Sequence, residues 1–174
     1  GAEFIKVELP EGDWSRKTPP FLSEANHTES SALYLYNNTG KKSVVLDWRN
    51  SEGLHDLENL IKSADVFIED WDISARTKWK LSPEFFIENN PQLIELSITP
   101  FGLSGPYSTY KSTPLIQLAL GGILNLIGNP KQEPLMLPGH QPDYLTGING
   151  SNSVQIALWD RDFLGESGKF LELT

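Results

Sequence analysis

At 174 residues with 39% hydrophobic content, the chain has the size and apolar content of one globular domain with its own core. Its formal net charge of −9 argues against a nucleic-acid partner, which needs clustered Lys and Arg, and the absence of cysteine excludes a disulfide framework and thiolate metal sites. No apolar run approaches the ~20 residues that cross a bilayer, and the N-terminus lacks the basic-then-apolar layout of a signal peptide, so the expectation is a cytoplasmic protein without a membrane partner.

In chain order, "FIKVEL" (4–9) predicts a short strand, opening almost at residue 1. Residues 10–31 hold Pro10, Gly12, Pro19 and Pro20 among Ser and Asn, which is loop chemistry, and "SVVLDW" (43–48) predicts a buried strand. In "NSEGLHDLENLIKSA", Leu54, Leu57, Leu60 and Ile61 share one helical face, with Asn50 or Ser51 able to cap the start. "DVFIED" (65–70) predicts a strand, "SPEFFIENN" a short helix with Ser82 as cap and Pro83 at its first position, and "QLIELSITPF" a long strand. Strands alternating with helices imply right-handed crossovers, so the expected class is α/β: a Rossmann-like parallel sheet flanked by helices. Beyond it, "PLIQLALGGILNLIG" (114–128) predicts an apolar helix, residues 143–163 another with small residues along one side, and "KFLELT" a closing strand. There is no internal repeat and no low-complexity tract.

Several motifs fail on inspection. "NNTGKKS" (37–43) is no phosphate-cradling loop, because Leu35 and Lys42 stand where Gly and Ser or Thr are needed, and a strand follows instead of a helix. Lys41 and Lys42 remain open between a solvated turn and a local phosphate contact. "GGILNLIG" lacks dinucleotide-binding spacing. His27, His55 and His140 sit in a loop, on the polar side of a helix and in a second loop; none pairs at metal-ligand spacing, and no metal is expected. His140 lies three residues before Asp143 and can orient it. No Gly-x-Ser-x-Gly elbow supports a serine triad. The sequons at Asn26, Asn37 and Asn149 are short patterns that arise by chance, and are read as unused. In a parallel sheet the loops leaving the carboxyl ends of strands form the ligand crevice, which places "EDWDISARTKWKL" (69–81) and "PFGLSGPYSTYK" (100–111) on one rim. Asp143 itself reads first as a helix N-cap. Residue chemistry alone stops at an α/β ligand-binding domain.

The ordered set of motifs resembles the family III CoA-transferases over essentially the whole chain. "GAEFIKVELPEGDWSR" is similar to the family's Gly-Ala-Asp-Val-Ile-Lys-Val-Glu opening with its downstream Gly-Asp and Arg. "NNTGKKSVVLDW", "SEG", "ADVFIED" and "NPQLIELSITPFGLSGPY" resemble its next pieces in order, and "GESGKFLEL" its last strand entry. The resemblance implies an enzyme that moves CoA from an acyl-CoA donor to a carboxylic acid acceptor, with acyl-CoA as substrate and no tightly bound cofactor. It puts Asp143 at the position of the catalytic aspartate, whose carboxylate attacks the thioester to give an anhydride and then an aspartyl-CoA thioester. It assigns Leu46, Asp70 and Trp71 to the lining of the CoA adenine and pantetheine, Lys78 to a CoA phosphate and Lys111 to a basic position near the carboxylate. Lys meets phosphate as a point charge, without the guanidinium fork. Thr39 and Asp72 stand where arginines are frequent, thinning the basic patch. A non-catalytic acyl-CoA-binding module is the alternative from another class. A 2-methylacyl-CoA racemase is the third reading, disfavoured because Thr113 replaces the His that would shuttle the α-proton. The resemblance further implies an interlocked homodimer, a family strand ahead of Gly1 and a smaller domain after Thr174.

Overall fold

In the computed structural model, which describes residues 1–22 and 29–174, contacts divide the chain into Gly1–Leu60 and Ile61–Thr174. His27 and the sequon at Asn26 lie outside the described residues.

The first unit is built on a parallel pair, β1 (Ile5–Glu8) and β2 (Lys42–Val45), in register from Ile5 with Lys42 to Glu8 with Val45. Between them a 3-10 turn (Trp14–Lys17) is capped by Asp13, whose Oδ1 accepts from the Ser15 amide at 2.8 Å. A two-turn helix, α1 (Ala32–Asn38), follows, with Ser31 Oγ accepting from the Tyr34 amide. The strand expected at 43–48 to be buried ends at Val45 and faces outward, with Val45 61% exposed; Trp48 is buried in the turn beyond it. β-branched residues report strand propensity, and among the described residues β2 pairs with β1 alone. α2 (Ser51–Ser63) carries the chain into the second unit. Asn50 Oδ1 caps it, accepting from the amides of Glu52 and Gly53 at 3.1 and 3.0 Å, and Leu57 and Ile61 are buried as the helical period requires.

The second unit is a three-stranded parallel sheet in the order β3 (Val66–Glu69), β4 (Ile94–Ile98) and β5 (Lys169–Leu173). Side chains alternate along β4. Ile94 and Leu96 pack with Val154 and Ala157 of α6 (Gln141–Leu164), and Val66, Ile98, Leu171 and Leu173 complete that apolar layer. Gly150 lets the helix lie close: a Cβ there would sit 3.0 Å from a Leu96 methyl. Glu69 and Glu95, by contrast, meet Arg76 of α3 (Ile73–Trp79), and α4 (Pro83–Asn89) adds the ring of Phe86 beneath that guanidinium. The fold is thus α/β, with parallel sheets flanked by helices, as the alternation of elements predicts.

Two expectations are corrected in this unit. Residues 69–81 are not a rim loop throughout, because Asp72 starts α3 at Ile73, its Oδ1 accepting from the Ala75 amide at 2.7 Å. Nor is 114–128 one helix: α5 (Pro114–Leu120) stops at Gly121 and Gly122, the latter at φ 76°, and a 3-10 turn (Ile123–Asn125) follows.

Candidate active site

α6 runs antiparallel to the strands, and its tethers show it. Near its C-terminus Asp160 pairs with Lys169 at 2.8 Å, and Arg161 donates to the Gln92 carbonyl and to Asp65 at 3.1 and 3.0 Å, groups at the amino ends of the strands. Gly150 lies against Leu173 and Ile98 at the carboxyl ends. At 1.5 Å per residue, Asp143 therefore projects about 10 Å past Gly150, beyond the carboxyl edge of the sheet. There its carboxylate is half exposed, at 53%.

The N-cap expectation for Asp143 is corrected: His140 occupies the cap, its carbonyl accepting from the Tyr144 amide at 3.0 Å, and Asp143 is the acid of the first turn. Pro142 beside it belongs in a first turn, where its missing N–H costs nothing. The positive end of the helix dipole favours a negative charge at this place. His140 Nδ1 lies 3.1 Å from Asp143 Oδ2. This is the orienting contact that their spacing suggests.

The other sequence-derived positions divide by unit. Asp70 and Trp71 follow β3 directly, Asp70 exposed and Trp71 half-buried. The Trp71 amide donates to Glu69 Oε2 at 2.6 Å, and its ring packs against Phe67 and Trp79, with centroids 5.8 and 5.7 Å away. Lys111 is exposed in the connection leaving β4, after a cluster of Phe101, Tyr107 and Tyr110 whose rings touch pairwise. β5 steadies that connection, since Glu172 Oε1 accepts from the Leu103 amide at 2.8 Å. Asp70, Trp71, Lys111 and Asp143 thus share the carboxyl end of the three-stranded sheet. Lys78 does not: it sits exposed in the last turn of α3, which leads away from that end. Leu46 belongs to the first unit, half-buried just past β2, in a shallow depression with Asp47, Asn50, Glu52, Gly53 and Asp56. Thr113 caps α5, its Oγ1 accepting from the Ile116 amide at 3.4 Å. Lys42 pairs with Glu3 at 2.6 Å and Lys41 donates to Asn38 at 3.0 Å, so both have partners close by.

Two buried charge networks are invisible to spacing rules. In the first unit Glu8 is 4% exposed and receives Arg16 through Nε at 2.7 Å and Nη2 at 2.8 Å, and Tyr34 Oη at 2.9 Å. Arg16 holds the Glu8 carboxyl down to about 2, against the cost of burial. In the second unit Arg76 donates to Glu95, lies 3.3 Å from Glu69, and sits over the rings of Phe86 and Phe170 at 5.6 and 5.5 Å. One guanidinium faces two buried carboxylates. Burial raises the Glu95 carboxyl to about 7, with Arg76 pulling it down and Glu69 pushing it further up, and burial raises Glu69 as well. The signal for the first network lay in the Glu and Arg of "VELPEGDWSR"; the second left none beyond the Glu of "IELSI".

With the geometry in place, comparison with known proteins decides the family. The family model described as CoA-transferase family III matches residues 1–174. The chain belongs to the family III CoA-transferases. It is 36% identical over 161 residues to succinate--glutarate CoA-transferase of Agrobacterium fabrum, covering 91% of this chain and 40% of that protein. It is 30% identical over 176 residues to succinyl-CoA:mesaconate CoA-transferase of Haloarcula hispanica, covering 99% of this chain and 44% of that one. Among solved structures, a CaiB/BaiF family protein from Brucella suis superposes with a TM-score of 0.89 at 37% identity, over 98% of this chain and 45% of that one. The chain therefore spans less than half the length of these relatives.

Proposed function

We propose that this chain is the α/β core domain of an enzyme that moves CoA between carboxylic acids, with Asp143 as the covalent nucleophile. The observation that carries the proposal is a half-exposed carboxylate in the first turn of α6, beyond the carboxyl edge of the sheet, where ligands of open α/β sheets bind. The names of the relatives point to succinyl-CoA as donor and a dicarboxylic acid as acceptor.

Asp143 Oδ1 attacks the thioester carbonyl carbon, the C–S bond breaks and CoA leaves as thiolate. The thiolate attacks Cγ of the resulting anhydride and expels the donor's acid, leaving an aspartyl-CoA thioester. The acceptor carboxylate then attacks Cγ and releases the thiolate, which finally attacks the acceptor's acyl carbon and returns Asp143 as carboxylate. No proton is gained or lost overall, so the cycle needs no general base. Trp71 offers a face to adenine or pantetheine, and Lys78 and Lys111 offer point charges to the ligand's anionic groups. Leu46 is assigned to the same ligand by the family resemblance, and the assembly proposed is a homodimer.

The test is incubation with succinyl-CoA, trapping with hydroxylamine and peptide mapping by mass spectrometry. A hydroxamate at Asp143, lost in Asp143→Asn, supports the proposal. A protein that binds CoA yet stays unmodified would instead be an acyl-CoA-binding module.

A further inference from the structure

We propose that His140 is the oxyanion donor for chemistry at Asp143 Cγ, a role that rests on reading Asp143 as the nucleophile. A carboxylate has only lone pairs, so the 3.1 Å contact between His140 Nδ1 and Asp143 Oδ2 is a hydrogen bond only when Nδ1 carries the proton. The imidazole makes no capping hydrogen bond; the backbone carbonyl of His140 serves the helix instead, through the Tyr144 amide. Gly139, at φ 68°, turns the chain just ahead of His140, and Pro142 opens the helix just after it.

The contact divides the two carboxylate oxygens. Oδ2 is engaged, so Oδ1 is the one presented to the thioester, and Oδ1 becomes the bridging oxygen of the anhydride. When thiolate attacks Cγ, the electron pair of the remaining C=O moves onto Oδ2, which takes a full negative charge facing Nδ1–H. Collapse returns that pair to the carbonyl and expels the acid through the Cγ–Oδ1 bond. The same charge appears on Oδ2 when the acceptor carboxylate attacks the aspartyl thioester, and thiolate leaves. In the resting carboxylate the charge is shared between two oxygens, whereas in both tetrahedral species Oδ2 bears it alone. The hydrogen bond therefore strengthens towards the transition state, which is the condition for it to accelerate the reaction.

The test compares His140→Asn, which can turn an amide N–H towards Asp143, with His140→Leu, which has a similar shape and neither donor nor charge. Because the imidazole makes no capping hydrogen bond, a purely structural role predicts no difference in rate between the folded variants. The oxyanion role predicts that the Asn variant keeps most of the rate of hydroxamate formation from succinyl-CoA. The Leu variant should lose roughly tenfold to a hundredfold, short of the ~10²–10³ of a water-excluded oxyanion hole because this site is open to solvent. Thermal unfolding of both variants checks that the helix is intact. Equal rates for Asn and Leu, with Asp143 still labelled in the wild type, overturn the role of His140 alone. No label at Asp143 in the wild type overturns both proposals. Independently of turnover, 15N spectra of the imidazole should show Nδ1 protonated; a proton held on Nε2 alone overturns the inference.

Discussion

Replacing Arg76 with Met tests whether the second unit is held by a charge that two buried carboxylates share. Arg76 is 3% exposed, Glu69 and Glu95 are 6% and 3% exposed, and the guanidinium lies over two aromatic rings. Met fills much of the volume but leaves two acids facing one another without a cation. Breaking such a buried pair costs about 3–5 kcal/mol when the stranded charge must stay ionised. The cost is conditional on pH. In the wild type the Glu95 carboxyl is raised from 4.5 to about 7, so its contribution to stability is complete below its unfolded value and is lost as pH rises through about 7. Without Arg76 both carboxyls rise further and take up protons sooner. Urea unfolding followed by tryptophan fluorescence should therefore show a loss near the full 3–5 kcal/mol at pH 8, shrinking at pH 5 to roughly the 1–2 kcal/mol of lost ring contacts. Adding Glu69→Gln and Glu95→Gln should return part of the pH 8 loss. A deficit that is equal at the two pH values would refute the reasoning.

Glu8 has the opposite sign: its carboxyl is held down to about 2, so the stability it provides is present above 4.5 and disappears as pH falls towards 2, and Glu8→Gln should flatten that part of an acid-unfolding curve. In Gly53→Ala the new Cβ would lie 2.2 Å from the Asp47 carbonyl oxygen, a backbone atom that cannot swing aside; calorimetry should show a loss of about 3 kcal/mol, outweighing the ~1 kcal/mol gained in helix propensity. In Gly150→Ala the new Cβ would lie 3.0 Å from a Leu96 side-chain methyl, a contact that a shift of a few tenths of an ångström relieves, so contact and propensity nearly cancel, whereas Gly150→Leu should cost about 1–3 kcal/mol. On the proposed function, Lys78→Ala should weaken CoA binding by only about two- to fivefold in calorimetric titration because Lys78 is exposed, and the effect should vanish in high salt.

The elements legible in the sequence were those long enough to show a period. α2 displays Leu54, Leu57 and Ile61 on one face, and β1 to β4 stand out by their Val and Ile residues. α1 and α3 have seven residues each, too few for a face to repeat, and their one local signal was a capping residue, Ser31 and Asp72. Asp143 was legible as a residue of interest but misplaced as the cap, although Pro142 marked a start ahead of it. The alternation in "IELSI" gives two faces without saying which is covered; Glu95 is buried because α3 lies over it, and that is tertiary information.

The use of arginine narrows how an anionic ligand can be met. Arg16 is committed to Glu8 and Glu29, Arg49 to Asp47 and Glu11, Arg76 to Glu69 and Glu95, and Arg161 to Asp65 and Asp162. Each guanidinium is engaged with carboxylates of the framework, and two of these sets are buried. Recruiting Arg16 or Arg76 for a phosphate would strand a buried acid, whereas the acids paired with Arg49 and Arg161 are largely solvated and hold them only weakly. On the proposed function, the ligand's phosphates would be left to lysines such as Lys111, which attract as hydrated point charges without a fixed geometry. Such contacts supply attraction that salt screens, so on that proposal the orientation of an acyl-CoA would come from shape and from the groups around Asp143. The rim of the sheet then has to do by positioning what a thin basic patch cannot do by charge.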